Sequence, residues 1–348
     1  MRSSKKYVWV SMMMVALLFA AACGNAGNSS NENGGHAENA APVEAVPEAQ
    51  AAEERAEVAG PITVQDVTGE TITLDGPVQQ IACIVSLCVD VLAELEMEPA
   101  AVAEGGVRVI ASAPEFYGSA GESFPSIGGS FFEPSLEDLV TAAPDLVIGL
   151  QGVHDSLREG LGGIAPLYLV NPSHYNESLD ILEAVGQMAG KTEAAAAAKQ
   201  RFMEKLEQAA AEAPKDKKAV IIYGSDVNFS VITDSGLGGT VMTEIAEYPW
   251  KVERPEDDPY GEGAVPYSLE RLITEDPDVI FVQSYSFSPD AAPVSEQLAA
   301  SPLWEKLTAV QNGQVHEVRS PIWGDGRGTR SLGILIDESM AILYPELQ

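Results

Sequence analysis

The sequence predicts an α/β protein built from two similar lobes with mostly parallel sheets, joined by one long helix. Three observations carry this. Buried-strand patterns alternate with helical ones, one structural unit recurs 133 residues further on, and a single long helix-forming stretch lies between the two copies.

The elements follow in order. Ile62-Thr63-Val64 and Glu70–Leu74, separated by Thr68-Gly69, have the pattern of a short hairpin. Ile81 to Leu87 is a continuous apolar run, as in a parallel strand buried on both faces. It leads into Asp90–Leu95, where Val91, Leu92 and Leu95 have helical spacing. Asp145–Leu150 and Pro166–Val170 are further strands. The repeat is Ser135-Leu136-Glu137-Asp138-Leu139-Val140-Thr141 leading to Pro144-Asp145-Leu146-Val147-Ile148. Its copy is Ser268-Leu269-Glu270-Arg271-Leu272-Ile273-Thr274 leading to Pro277-Asp278-Val279-Ile280-Phe281. The proline stands nine positions after the serine in both, so each unit is a short helix, a Pro-Asp turn and a buried strand. Between the copies, Thr192–Ala213 is rich in Ala, Glu, Lys and Gln, with Phe202, Leu206 and Ala209 on one face. Gly190 and Pro214 punctuate it, and at ~1.5 Å per residue it spans about 30 Å. Lys217-Lys218 then opens another buried strand, Ala219–Tyr223. The expected organisation is a lobe over 62–190, a linking helix over 191–213 and a second lobe over 214–348.

The N-terminus carries an address. Arg2, Lys5 and Lys6 precede an apolar run from Tyr7 to Ala22, the pattern of a secretory signal over residues 1–22. The run is short for a membrane span, which needs about 20 residues. Ala20-Ala21-Ala22-Cys23 resembles a bacterial lipobox, with Cys23 as the lipidated residue and alanine where leucine is usual. Residues 24–60 contain no Phe, Trp or Tyr and cannot bury a core, so 23–61 reads as a lipidated cysteine followed by an acidic, disordered tether. A plain Ala-x-Ala cleavage is the other reading. The expected location is the cell membrane, lipid-anchored on the extracytoplasmic face.

Charge excludes whole classes of partner. The chain has 52 acidic and 20 basic residues, net −32, and from Ile62 onward the balance is 45 against 16. Nucleic acid and anionic lipid both require a basic face. The excess reads as a solvated acidic surface, with steering of cationic ligands as the alternative. His154, His174 and His316 are scattered singly, so no metal site is expected, and Cys83 and Cys88 read as buried free thiols, with a disulfide outside the cell as the alternative. The chain lacks a Gly-x-Ser-x-Gly elbow and a Walker loop, and Gly324-Asp325-Gly326-Arg327-Gly328 has the wrong spacing for a phosphate loop, so no enzyme is expected.

From residue 62 to 348 the chain resembles the class III (cobalamin, haem and siderophore) substrate-binding proteins of bacterial ABC importers. The resemblance rests on Ile62-Thr63-Val64-Gln65-Asp66 with Gly69, on Gln80-Ile81, and on Ser126-Ile127-Gly128-Gly129 before the first repeat. It continues through Pro302-Leu303-Trp304, Ala309-Val310, Asn312-Gly313 and Val315. It implies two Rossmann-like lobes on one long rigid helix, with a ligand cleft between them. It also implies a monomer that docks on an ABC permease dimer with its ATPase, through one acidic side chain per lobe; Glu137 and Glu270 match those positions. Both also suit the positive end of a helix without any partner.

Cleft residues in such folds come from loops after the parallel strands. These loops nominate Ser86, Phe131, Phe132, Gln151, Tyr223, Ser225, Tyr285 and Trp323, with Arg108, Arg327 and Arg330 suited either to an anionic chelate or to surface ion pairs. Phe131 and Phe132 stand where haem-binding relatives supply an axial ligand, and neither can ligate iron. The expected ligand is a ferric siderophore complex, bound without any resident cofactor. Cobalamin or haem import, or an extracellular binding or signalling module without a transporter, are the alternatives.

Overall fold

The structure, a computed structural model, describes residues 60–251, 263–285 and 291–347. The signal, Cys23 and nearly all of the tether lie outside the described residues.

The first sheet takes shape around apolar strands too short to stand alone. An antiparallel hairpin, β1 (Ile62–Gln65) and β2 (Thr71–Leu74), opens the fold. Then come β3 (Ile81–Cys83), α1 (Ser86–Glu94), β4 (Ala101–Ala103), α2 (Gly106–Ala111), β5 (Ser126–Ile127) and α3 (Leu136–Ala142). The lobe continues with β6 (Leu146–Leu150), α4 (Leu157–Leu161), β7 (Leu167–Val170) and α5 (Tyr175–Met188). The strands order as β5-β4-β3-β6-β7, all parallel.

The long helix, α6 (Thr192–Glu212), leads to β8 (Ala219–Gly224), β9 (Ser230–Ile232), α7 (Leu237–Ile245), β10 (Ala264–Pro266), α8 (Leu269–Glu275) and β11 (Val279–Ser284). After these come α9 (Val294–Leu298), α10 (Thr308–Gln311), β12 (Val315–Glu317) and α11 (Thr329–Leu343). The second sheet orders as β10-β9-β8-β11-β12, the same arrangement shifted by five strands. It differs in one respect: β9 runs antiparallel to both neighbours, so this sheet is mixed.

The repeat is reproduced atom for atom at several points. Ser135 and Ser268 cap α3 and α8 by accepting the N–H of the residue three further on. Thr141 and Thr274 each donate to the carbonyl of the glutamate four residues back. Both helices end on a left-handed residue, Ala143 and Asp276. Asp145 Oδ2 then accepts N–H groups of Gln79 and Gln80 at the start of β3, and Asp278 Oδ2 accepts that of Lys218 at the start of β8. The Pro-Asp turn therefore aligns the entry of each central strand with its neighbour.

Two expectations change. The apolar run Ile81–Leu87 is not one strand: β3 stops at Cys83, and α1 starts at Ser86, because Ile84 and Val85 turn the chain and every residue on either side is buried. A run buried on all faces carries no period that separates strand from helix. That turn also brings the Cys83 and Cys88 Cα atoms to 5.3 Å, and the two sulfurs are bonded rather than free. The spacing is within the ordinary disulfide range. Such a short loop contributes about 2 kcal/mol by chain entropy, so its effect is local. Thiol titration of the unfolded, unreduced chain lacking residues 1–23 is expected to find no reactive thiol; two thiols per chain would show the pair to be reduced.

Candidate functional site

In each sheet, successive connections leave in opposite directions from the middle pair of strands. The chain moves outward from β3 to β4 and β5, then returns to β6 and β7 on the other side; β8 and β11 repeat this. A crevice opens where connections diverge, at the C-terminal ends of those strands. The mouths are therefore the ends of β3 and β6 in one lobe and of β8 and β11 in the other.

At the first mouth stand the disulfide, buried Ser86 and the loop from Gln151 to His154. The neighbouring turn Ser130–Glu133 exposes Phe131 and Phe132, whose ring centroids lie 5.4 Å apart, edge to face. At the second mouth Tyr223 and Tyr285 stack with centroids 4.9 Å apart. Tyr285 N–H donates to the Gly224 carbonyl at 2.9 Å, and Gln297 Nε2 donates to the Ser225 carbonyl at 3.1 Å. Each mouth thus carries one aromatic pair.

The lobes are tied by more than the long helix. α11 packs on α6, α1, α5 and α7, and the helical turn Pro321–Gly326 packs on α2, which leaves the C-terminal end of β4. That turn follows the C-terminal end of β12, and Ser320 just before it donates to the Ser284 carbonyl at the end of β11, so the C-terminal edges of the two sheets adjoin this joint. At the joint, Asp90 of α1 caps α11: Oδ1 accepts the Arg330 N–H at 3.1 Å and Oδ2 the Ser331 N–H at 2.8 Å. Gly328 is required there, since a Cβ would collide with the Asp90 carboxylate. Asp90 is fully buried, and burial pushes its carboxyl up to about 7 against the opposing pull of the Ser331 N–H. Ser178 Oγ donates to the Arg327 carbonyl at 2.7 Å across the same joint.

The family named Periplasmic binding protein matches residues 81–321, which span both sheets. The chain belongs to that family. This periplasmic binding protein is 27% identical to the Fe(3+) dicitrate-binding periplasmic protein FecB of Escherichia coli (strain K12), over 76% of this chain and 85% of the relative. It is 24% identical to the Fe(3+)-citrate-binding protein YfmC of Bacillus subtilis (strain 168), over 94% of each. The petrobactin-binding protein YclQ from Bacillus subtilis superposes with a TM-score of 0.69 at 18% identity, covering 82% of this chain and 99% of that one.

The residues expected from sequence fall into two groups. Phe131, Phe132, Gln151, Tyr223, Ser225 and Tyr285 gather at the mouths, with Ser86 buried beneath. Trp323, Arg327, Arg330 and Arg108 are held in the joint or the lobe interior. Trp323 is buried, its ring 5.1 Å from Phe281 and its Nε1 donating to Glu338 Oε2 at 2.6 Å. Arg330 donates to Glu94 Oε1 at 3.0 Å and to the carbonyls of Glu115 and Ala93. Arg108 donates to the carbonyls of Gly121 and Phe124 and to Glu104. Arg327 is buried in the left-handed conformation, its Nε 3.0 Å from the Gly324 carbonyl. Glu137 and Glu270 are exposed at equivalent positions in α3 and α8.

Sequence reasoning missed Asp90 and His154. The signal for Asp90 was present, a lone carboxylate inside the apolar stretch Leu87–Ala93. His174 caps α5, accepting the Asn176 N–H on Nδ1 at 3.1 Å, and His316 lies on β12 beside Phe281. Two concavities of about 530 and 540 Å³ lie elsewhere, between α6 and α11 and beside β2 at the start of β7. Among the described residues no helix is long and apolar enough to cross a membrane.

The folded state holds the Asp90 proton to a higher pH than the unfolded chain does. Asp90 therefore contributes most below about pH 4 and progressively less as pH rises to about 7. Asparagine at 90 has no such dependence. The Tm advantage of wild type over Asp90→Asn is expected to be larger near about pH 5 than near about pH 8. A constant difference would show that the carboxylate stays ionised throughout.

Proposed function

We propose that this periplasmic binding protein is the extracytoplasmic component of an ABC importer, captures a ferric siderophore complex and delivers it to the membrane permease. The observation that carries this is the pair of equivalent strand-end mouths adjoining one joint, each furnished with an aromatic pair. Such surfaces suit a compact chelate with flat faces, gripped by two lobes. Relatives named for ferric citrate make that chelate the first to test. The protein supplies capture and orientation and breaks no bond. Cys23 anchors it by a lipid.

Glu137 and Glu270 are proposed as the permease contacts. They occupy the same position of duplicated helices, one per lobe, and both side chains face solvent.

Calorimetric titration of the chain from Gly24 onward, with ferric citrate, a ferric tris-catecholate, a ferric trihydroxamate, haem and cobalamin, tests the ligand. One ferric chelate is expected to bind at about micromolar Kd or tighter. Tight binding of haem or cobalamin instead would keep the importer and replace the cargo, and no heat from any of them would overturn the reading. Combining Glu137→Ala with Glu270→Ala is expected to weaken capture by the permease in a pull-down while leaving Tm and chelate affinity unchanged. Wild-type capture by the double variant would remove these residues from docking.

A further inference from the structure

Turn tips usually carry Gly, Asn, Asp or Ser, which tolerate water and tight backbone geometry. The turn Ser130–Glu133 carries two phenylalanines instead, 46% and 52% exposed. Ser130 and Glu133 exchange backbone hydrogen bonds of 3.1 and 3.2 Å, and Ser130 Oγ accepts the Glu133 N–H at 3.0 Å. Gly129 and Pro134 bridge just outside. These bonds close the turn on itself and do not fix where it points.

His154 does. Its imidazole is fully buried behind the turn, four residues past the end of β6. Nδ1 accepts the Leu150 N–H at 2.9 Å, so the ring proton sits on Nε2, which donates to the Phe131 carbonyl at 2.7 Å. The Phe131 ring lies against the imidazole, centroids 5.4 Å apart. Burial holds the His154 pKa below its ordinary value, so the ring stays neutral and keeps the one tautomer that makes both bonds. Both ring nitrogens are thereby engaged by backbone, which leaves neither for a metal. One side chain thus links the last residue of a central strand to the tip of the aromatic turn.

We propose that His154 is a positioning residue for ligand binding: it holds the Phe131–Phe132 turn as a fixed aromatic wall of the first mouth. This rests on the reading that a ferric chelate occupies the mouths. A buried histidine serving only the stability of β6 would leave affinity untouched.

A mutant cycle on chelate affinity separates the two roles. Phe131→Ala with Phe132→Ala is expected to weaken binding about tenfold or more. His154→Phe, which keeps a ring and loses both hydrogen bonds, is expected to do the same. Adding it to the double variant should then cost nothing further. A folded His154→Phe protein with wild-type affinity, or losses that simply multiply, would overturn the proposal. Should His154→Phe not fold, nitrogen NMR of the wild type decides. Saturation with gallium citrate, tris-catecholate or trihydroxamate, whichever binds, should move the protected His154 Nε2–H signal and leave those of His174 and His316 in place. An unmoved His154 signal in a protein that binds the gallium chelate overturns this proposal alone. A wild type that binds none of the chelates overturns the functional reading, and this one with it.

Discussion

One buried carboxylate organises the space between the lobes. Asp90 sits on the helix that follows the first central strand, yet its hydrogen-bond partners are the first N–H groups of the last helix. A helix start buried without such a cap would leave several donors unpaired at about 1–3 kcal/mol each. Meeting that need forces α11 against α1, and this brings Arg330 to Glu94, Ser178 to the Arg327 carbonyl and the Pro321–Gly326 turn onto α2. Glu94 also accepts from Arg201 of the long helix at 2.6 Å, which draws α6 into the same joint. This cluster ties the first lobe to the last helix and to the long helix between the lobes.

The arginines show why an acidic chain is hard to judge by charge alone. Arg108 and Arg330 look like anion ligands in the sequence because basic residues are scarce. In the fold their donors reach carbonyls and carboxylates of the same chain, where burial makes each bond worth more than at the surface. Arg319 likewise bridges Glu115 and Glu338. What the mouths carry is chiefly aromatic surface.

Features legible in the sequence were those written over a few consecutive residues. The hairpin, the duplicated Ser-Leu-Glu helix with its Pro-Asp turn, and the long helix from Thr192 all show a local period or cap, and each forms within a residue or two of its expected bounds. The β3–α1 boundary was hidden because burial on every side erased the period. The disulfide was hidden because it depends on a two-residue turn. The Asp90 cap spans 240 residues and the Arg158–Asp66 pair 92, separations at which residue type says nothing about proximity. The mouths were legible as loops after strands; which side chains stay free to line them was not, since that depends on partners drawn from elsewhere in the chain.

The cap also sets an order of assembly. All strands of the first lobe's parallel sheet precede residue 171 in the chain, whereas α11 is its final long helix. In a chain made N-terminus first, the N–H groups that Asp90 accepts do not exist until residues beyond 328 are added. Burying that carboxyl group without those partners is costly. The contact that closes the joint is among the most distant in sequence, 240 residues apart. Competence to hold the two lobes at their working angle is therefore a property of the whole chain, acquired when its end is in place.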